Sequence, residues 1–556
     1  MKRTYALPTA QWGVYDQTLK EWYGKCEKLK LIPRLWQRDA LLWSKDPSAQ
    51  KEIKGRLGWL SMPRVMKSHV AELQTFQQEV KAAGFKHAVL LGMGGSSLAP
   101  EVLQRVLGNA AGFPELLVLD STDPGRVKDV EAKLDLAKTL FIVSSKSGGT
   151  IELVSFFKYF FDRVKSARPD NPGRAFIAIT DPGTSLESLA KQNHFWKTFL
   201  APEDVGGRFS ALTVFGMVPA CVIGADVAKI LNGAERMMAE CSMEVSLEEN
   251  AAVALGLGMA VLAEEGRDKL TLLTSESLAS FGDWAEQLIA ESTGKDGSGI
   301  LPVVREPLKP AESYGTDRFF VELALEPEGK ANASAIGSLV IAGHPVLSIS
   351  LKTTADLGAE FFRWETATAI ACALLKVNAF DQPDVQAAKE LAKKFLEKSK
   401  AGSQAEVLNS DMTLETFWEN AEPGDYAAIL AFLPDREPFR NRLVKLRDTI
   451  RERTKLASTL GFGPRYLHST GQLHKGGPSK AVFILITSPA PEDLPVPGEN
   501  YSFAGLELAQ AMGELEALQN KARWVIHIRL AELSETALDE ACSRIEAAVQ
   551  TPVEDR

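Results

Sequence analysis

The sequence lacks long hydrophobic runs, dense blocks of one charge, and regularly spaced cysteine pairs. No segment approaches the roughly 18 consecutive apolar residues of a membrane span, and residues 1–8 have no apolar signal core. The net charge of −9 is spread along the chain, which argues against nucleic acid as the main partner. The five cysteines are scattered and odd in number, so neither a disulfide framework nor a metal site is expected. These absences predict a soluble, cytoplasmic protein with no metal and no membrane partner.

The length and composition are those of a globular protein with several domains. The chain has 556 residues, of which 45% are apolar and 24% charged, and this suffices for two or three buried cores. Beyond residue 85, predicted strands alternate with helical segments, the pattern of parallel sheets covered by helices on both faces. We therefore predict an α/β fold with two doubly wound parallel-sheet lobes and a third, smaller α/β unit.

The alternation divides the chain into a helical segment at 1–80, a first α/β domain at 81–247, a second at 248–404 and a C-terminal α/β unit at 405–556. A small polar break at 401–404 precedes the last unit. The predicted strands lie at 87–91, 116–119, 140–143 and 175–179, then at 270–274, 318–325 and 346–351, and finally at 426–432, 481–487 and 524–529. Tryptophans of the first segment are expected to pack against the main body rather than bind ligands: Trp12, Trp22, Trp36, Trp43 and Trp59.

A phosphate-binding loop is predicted at residues 145–150. An apolar strand ends there in hydroxyls, two glycines and one lysine, and a helical pattern follows. Small residues let backbone N–H groups face an anion, and the helix N-terminus adds the positive end of its dipole. The hydroxyls of Ser145, Ser147 and Thr150 can donate hydrogen bonds to the same anion. An ordinary strand-to-helix turn is the alternative.

A second glycine-rich loop follows the predicted strand 87–91 and reads Gly92-Met93-Gly94-Gly95-Ser96-Ser97. Two such loops at the carboxyl edge of one parallel sheet predict a single ligand held from two sides. The alternative is a dinucleotide-binding fold, because Asp120 ends the next strand. Ser97 takes the place of the third glycine of that fingerprint, so the fingerprint is incomplete.

Two further residues are candidates for chemistry. Arg208 follows a pair of glycines, and its planar, permanent charge suits an oxygen that becomes negative during a reaction; a surface salt bridge is the alternative. Glu291 ends a predicted helix shortly before Gly294, where a partly desolvated carboxylate could act as a base. A solvated glutamate is the alternative there.

Five motifs, in this order, resemble those of glucose-6-phosphate isomerases over roughly residues 85–400. They are the two loops at 92–96 and 145–150, then Gly206-Gly207-Arg208, Glu291-Ser292-Thr293-Gly294-Lys295 and the segment 380–389. The last is similar to the family signature Phe-Asp-Gln-x-Gly-Val-Glu-x-x-Lys, with Asp384 in place of glycine and Gln386 in place of glutamate. The long C-terminal unit resembles the isomerase half of fused transaldolase and isomerase proteins, without the transaldolase half.

The resemblance implies sugar isomerase domains that interconvert glucose 6-phosphate and fructose 6-phosphate through an enediolate. It implies Glu291 as the base, Arg208 as the group that stabilises the enediolate, and Lys389 as a participant in ring opening. Substrate and phosphate contacts are expected from Gly95, Ser96, Ser145, Lys146, Ser147, Thr150 and Gln382. No cofactor is implied. A small-molecule sugar phosphate is the expected ligand, and a homodimer is the expected assembly.

The histidine motif of the bacterial relatives, His-Ser-Met-Gly-Gln, is missing from its usual place after the base. That place reads Ser313-Tyr314-Gly315-Thr316-Asp317 and contains no histidine. Far downstream, His468 begins a His-Ser-Thr-Gly-Gln string that resembles the missing motif. We therefore predict that the third unit supplies the ring-opening histidine, from its own chain or from a neighbouring subunit. His474 is the second choice, and a separate anion contact or a simple turn is the alternative.

Two other functions are compatible with these residues. A dual phosphoglucose and phosphomannose isomerase would use the same base and loops on sugars that are epimers at C2. A non-catalytic sugar-phosphate sensor would keep the loops without the chemistry. The displaced histidine favours the sensor, whereas the presence of Glu291, Arg208 and Lys389 argues against it.

Overall fold

The computed structural model describes residues 4–400 and 413–549; the predicted break at 401–404 lies outside them. The amino-terminal segment is helical except for one short strand. Its elements are β1 (Thr9–Gln11), α1 (Asp16–Leu29), α2 (Leu31–Trp36), α3 (Pro47–Lys54), α4 (Met62–Ser68) and α5 (Val70–Ala83).

The tryptophans of this segment pack against the two lobes. Trp59 is 1% exposed, and its ring contacts those of Phe209 and Phe362 at centroid distances of 5.2 and 5.9 Å. The indole N–H of Trp43 donates to the backbone oxygen of Ala369 at 2.9 Å. The segment therefore shares one hydrophobic core with both lobes.

The first lobe alternates strands and helices around a five-stranded parallel sheet in the order β3-β2-β4-β5-β6. Its elements are β2 (His87–Leu91), α6 (Leu98–Leu107), β3 (Glu115–Leu119), α7 (Pro124–Glu131), β4 (Thr139–Ser144), α8 (Ile151–Ala167), β5 (Phe176–Thr180), α9 (Ser185–Gln192), β6 (Lys197–Leu200), α10 (Val214–Val222) and α11 (Val227–Glu240). Strands β2, β4 and β5 are almost wholly apolar and buried, as strands covered on both faces must be.

Strands β2 and β4 mark the point at which the chain reverses its direction across this sheet. The connection after β2 leads to β3 on one side, whereas the connection after β4 leads to β5 on the other. Ligands of open α/β sheets bind in the crevice that such a reversal opens at the carboxyl ends of the strands. Both predicted phosphate loops begin at this crevice, because they directly follow β2 and β4.

The second lobe is built on a sheet in the order β1-β10-β9-β7-β8. Its own strands are parallel, and β1 of the amino-terminal segment adds antiparallel to β10, which the sequence did not predict. The elements are α12 (Val253–Glu264), β7 (Lys269–Thr274), α13 (Ala279–Thr293), β8 (Leu301–Val303), β9 (Arg318–Leu325), α14 (Ala333–Ile341), β10 (Val346–Leu351), α15 (Leu357–Leu375) and α16 (Pro383–Lys400).

The third unit has a four-stranded parallel sheet in the order β12-β11-β13-β14 and its own hydrophobic core. Its elements are α17 (Leu414–Glu419), β11 (Tyr426–Phe432), α18 (Phe439–Thr454), β12 (Ala457–Phe462), α19 (Gly471–Gly476), β13 (Ala481–Thr487), α20 (Phe503–Asn520), β14 (Trp524–Arg529) and α21 (Glu535–Ala548). Strand β12 was not expected, because Ser458, Thr459 and Gly461 interrupt its apolar pattern.

Helix α20 packs along α16 and joins the third unit to the rest of the molecule. The predicted class, an α/β protein with parallel sheets in two lobes and a smaller unit, is confirmed. Among the described helices, none combines the length and the hydropathy needed to cross a lipid bilayer.

Candidate active site

The two predicted phosphate loops contact each other at the crevice of the first lobe. The Ser144 hydroxyl, at the end of β4, donates to the backbone oxygen of Ser96 at 3.3 Å. Within the second loop, the hydroxyls of Ser145 and Thr150 lie 3.1 Å apart, and the Gly148 amide donates to Ser145 Oγ at 3.1 Å. Gly148 has φ of +72°, which favours glycine. Helix α8 starts directly after this loop, so its positive N-terminal end faces the same crevice.

Lys146 of this loop is held by an acidic partner. Its ammonium group lies 2.5 Å from Asp181 Oδ2 and 3.5 Å from the backbone oxygen of Glu203. Burial lowers the pKa of Lys146, although the hydrogen bond to Asp181 opposes this shift. Ser147 is exposed at the tip of the loop.

The glycine-rich loop after β2 is pressed between the arginine motif and the third unit. A Cβ atom on Gly95 would lie 2.2 Å from the backbone oxygen of Gly207, and one on Gly94 would lie 2.8 Å from the backbone oxygen of His468. Both distances are far below van der Waals contact, so only glycine fits there. The glycine-rich loop, the arginine motif and the His468 segment therefore lie together. The first and the last of them are more than 370 residues apart in sequence (468 − 94 = 374).

Arg208 and Glu291 form the centre of the cluster. The Arg208 side chain is buried, and its Nη1 lies 3.4 Å from Glu291 Oε1. It also donates from Nε to Ser292 Oγ at 2.8 Å, from Nη1 to Gln382 Oε1 at 2.7 Å, and from Nη2 to the backbone oxygen of Ala379 at 2.5 Å. The guanidinium therefore ties the arginine motif to the end of helix α13 and to the turn before α16.

That turn is fixed from the other side by Lys295. Its ammonium group donates to the backbone oxygen and to the carboxylate of Asp381, at 2.8 and 2.9 Å, and also to the backbone oxygen of Asn378. Burial, followed by the nearby Arg208 guanidinium, lowers the pKa of Lys295 to about 8. Gln382 is thereby presented to Arg208 while its side chain stays exposed.

His468 of the third unit reaches the same cluster within one chain. Its Nε2 lies 2.8 Å from Glu152 Oε1 at the start of helix α8. The Gln287 amide donates both to Glu291 Oε2, at 3.0 Å, and to the backbone oxygen of His468, at 2.8 Å. A single side chain therefore joins the candidate base to the histidine segment.

Arg465 anchors this histidine segment to the first lobe. Its guanidinium lies 2.5 Å from Glu101 Oε2 and 2.8 Å from Asp120 Oδ2. Asp120 is the residue that would contact a ribose in the dinucleotide alternative. Its carboxylate is engaged by Arg465 instead.

Comparisons with known proteins show what this chain is similar to. The sequence model described as phosphoglucose isomerase matches residues 50–299. A probable glucose-6-phosphate isomerase of Methanococcus maripaludis is 28% identical over 397 residues, which cover 65% of this chain and 89% of that protein. The glucose-6-phosphate isomerase of Carboxydothermus hydrogenoformans is 34% identical over 257 residues, covering 44% of this chain and about half, 55%, of that protein. The chain is thus similar to glucose-6-phosphate isomerases, and residues 50–299 match the phosphoglucose isomerase model.

Two crystal structures share the fold of this protein. A hypothetical protein from Thermus thermophilus has a TM-score of 0.58 at 24% identity, with 70% of this chain and 100% of that chain covered. A glucose-6-phosphate isomerase from Chlamydia trachomatis has a TM-score of 0.55 at 19% identity, with coverages of 69% and 86%.

The structure places one of the expected residues, His474, apart from this cluster. His474 is buried in the third unit, where its Nδ1 lies 2.9 Å from the Tyr426 hydroxyl and its ring contacts that of Phe483. Burial, followed by the charge of Lys475, lowers the pKa of His474 well below its usual value. Lys389 is exposed on α16, but its charge is near enough to act on Glu152.

Glu152 and Gln287 are the site residues that the sequence analysis missed. Glu152 lies two residues after the phosphate loop, but an acidic residue in the first turn of a helix is too common to indicate a functional site. Gln287 precedes Glu291 by one helical turn, a spacing that places both on one face of α13. That spacing could have suggested Gln287. In the described part of the chain, no group of three or more His, Cys, Asp or Glu side chains is arranged to hold a metal ion.

Proposed function

We propose that this protein interconverts glucose 6-phosphate and fructose 6-phosphate, with Glu291 moving the proton between C2 and C1. The main support for this proposal is the position of Gln287. Its side-chain amide donates hydrogen bonds both to the Glu291 carboxylate and to the backbone oxygen of His468. A base for enolisation and an acid for ring opening are thereby held in one cluster. A phosphate-binding protein without isomerase activity has no need of this pairing.

The phosphate end of the substrate is assigned to the crevice between β2 and β4. Hydroxyl groups, loop amides and the start of α8 converge there, and all of them favour an anion. Holding the non-reacting end contributes binding energy that orients the reacting carbons. The residues in this role are Gly95, Ser96, Ser145, Lys146, Ser147 and Thr150.

Arg208 is assigned to the enediolate. It lies 3.4 Å from the Glu291 carboxylate, so an oxygen next to the carbon that loses its proton can also contact the guanidinium. A fixed positive charge in a buried site stabilises negative charge that develops in the transition state without reorganisation of solvent. Gln382, which accepts a hydrogen bond from Arg208, is assigned to orienting the sugar chain.

Ring opening is assigned to His468, with Lys389 as its partner. Burial disfavours the charged form of Glu152, but the charge and hydrogen bond of His468, and then Lys389, hold the pKa of Glu152 below its usual value. An ionised Glu152 accepts a hydrogen bond from Nε2 and so orients the imidazole ring. The Nδ1 atom is then the ring nitrogen available to move a proton from the sugar's C1 hydroxyl group to its ring oxygen, as the bond between C1 and the ring oxygen breaks.

The test is a coupled assay of fructose 6-phosphate conversion, run in parallel with mannose 6-phosphate. We expect Glu291→Gln to lower kcat by about 10²–10⁴-fold, because proton transfer by a positioned side chain contributes that much. Glu276→Gln is the matched control, since Glu276 is an exposed glutamate just before the same helix. Full activity of Glu291→Gln would refute the base assignment, and conversion of mannose 6-phosphate by the native chain would establish the dual activity.

A further inference from the structure

The carboxylate oxygen that holds His468 has a second donor, which comes from helix α20 of the third unit. The Gln510 amide donates from Nε2 to Glu152 Oε1 at 2.7 Å, the same atom that His468 Nε2 approaches at 2.8 Å. Gln510 is 4% exposed and Glu152 is 3% exposed. These two contacts are therefore shielded from water.

The orientation of the Gln510 amide is set by a third residue. The Thr122 hydroxyl, which is fully buried after β3, donates to Gln510 Oε1 at 2.9 Å. The Glu152 carboxylate is an acceptor. The Gln510 amide can therefore bond to it only by pointing its NH₂ group towards it. The amide oxygen must then face Thr122, so the four groups have one consistent arrangement: Thr122, Gln510, Glu152 and His468.

Two donors on one carboxylate oxygen have a chemical consequence. Hydrogen bonds to the charged form of a carboxyl group favour that form. These contacts therefore favour Glu152 as a carboxylate, the form that accepts the hydrogen bond from His468 Nε2. The second donor also fixes the direction of the carboxylate, and with it the plane of the imidazole ring.

We propose that Gln510 is a positioning residue for the ring-opening step, acting on His468 through the Glu152 carboxylate. The proposal rests on the isomerase activity proposed above and adds α20 of the third unit to the machinery. Gln510 itself touches no reacting atom. Its effect is confined to the step that needs His468.

Ring opening can be measured apart from isomerisation. A sugar ring that opens and closes again interconverts the α and β anomers of glucose 6-phosphate, without any proton moving from C2. Exchange spectroscopy by NMR measures this anomer rate, and the coupled assay measures isomerisation. Glu291→Gln should lose isomerisation and keep the anomer rate. If the native chain does neither reaction, the proposed function fails and not merely the role of Gln510.

We expect Gln510→Leu to lower the anomer rate and isomerisation together by about tenfold or more, as expected for losing a hydrogen bond to a charged group. Gln519→Leu is the matched control, because it makes the same change at an exposed position on the same helix. Thr122→Val tests the contact from its other end and should have a smaller effect of the same kind. In the double variant, the two effects should not add, since both act through one amide.

The folded state of each variant is checked by its thermal unfolding and by the shift of that transition with inorganic phosphate. An unchanged anomer rate in folded Gln510→Leu would overturn the proposal. A loss of isomerisation with the anomer rate intact would overturn it equally. If Gln510→Leu does not fold, Thr122→Val replaces it in the test. An unchanged anomer rate in that variant would then overturn the proposal.

Discussion

Replacing Arg465 by methionine tests how the third unit is fastened to the first lobe. The guanidinium is the counter-charge of two largely buried carboxylates, Glu101 at 2.5 Å and Asp120 at 2.8 Å. Removing one partner of a buried ion pair costs roughly 3–5 kcal/mol, because an uncompensated charge remains. Since 24% of the Arg465 side chain is exposed, we expect the lower end, about 3 kcal/mol, in urea unfolding followed by tryptophan fluorescence.

The pH dependence of this loss has a definite sign. Arg465 counteracts the burial that disfavours the charged Glu101, and it holds the pKa of Glu101 below its usual value; burial raises the pKa of Asp120 despite Arg465. Without Arg465, both carboxyl pKa values rise above those of the unfolded chain. A carboxyl group whose pKa is higher in the folded than in the unfolded chain destabilises the folded protein as pH rises above the unfolded value. The penalty should therefore be small near pH 4 and full near pH 8.

Two controls make this prediction refutable. Arg105→Met removes a guanidinium that lies 3.9 Å from the same Glu101 but is 67% exposed, so it should cost under about 1 kcal/mol. Adding Glu101→Gln and Asp120→Asn to Arg465→Met should recover much of the stability, because no uncompensated charge then remains. Equal stability of Arg465→Met and the native chain at pH 8, or no recovery in the triple variant, would refute the reasoning.

Three further predictions concern single side chains. Lys389→Ala should reduce the rate of ring opening in the NMR anomer assay, whereas Lys393→Ala, at an exposed position on the same helix, should not; equal rates would remove Lys389 from the chemistry. His474→Phe should keep isomerase activity and lose about 1–3 kcal/mol in urea unfolding, because the buried Tyr426 hydroxyl loses its partner; inactive but stable protein would instead favour a substrate contact. Burial, followed by the Asp283 carboxylate, raises the pKa of Glu286 to about 8, so Glu286 reduces stability as pH rises from about 4.5 towards 8. Glu286→Gln should therefore lose less stability over that range than the native chain, and parallel pH profiles would contradict this.

The strands of the parallel sheets were the most predictable part of the fold. Strands such as β4 and β13 are continuous apolar runs bounded by polar turns, so local sequence is enough to find them. Strand β12 was missed because Ser458, Thr459 and Gly461 interrupt its apolar residues. Strand β1 was missed because three residues become a strand only by pairing with β10, more than 330 residues later (346 − 11 = 335).

The sequence by itself determined the chemical groups of the site and the class of the fold. Gly95, Arg208 and Glu291 stood out from their local sequence, Gln382 was expected from the resemblance to glucose-6-phosphate isomerases, and the structure brings all four together. Local patterns can reveal such groups because each depends on neighbouring residues alone.

Tertiary structure alone decided how the histidine is held. His468 meets Glu152 across 316 residues of sequence, and Gln510 meets the same carboxylate across 358. Arg465 and Gln287 fasten that segment to two different lobes. No periodicity links residues so distant in sequence. Their contacts arise because three sheets pack together, and the local pattern of one segment does not show which other segment it will pack against.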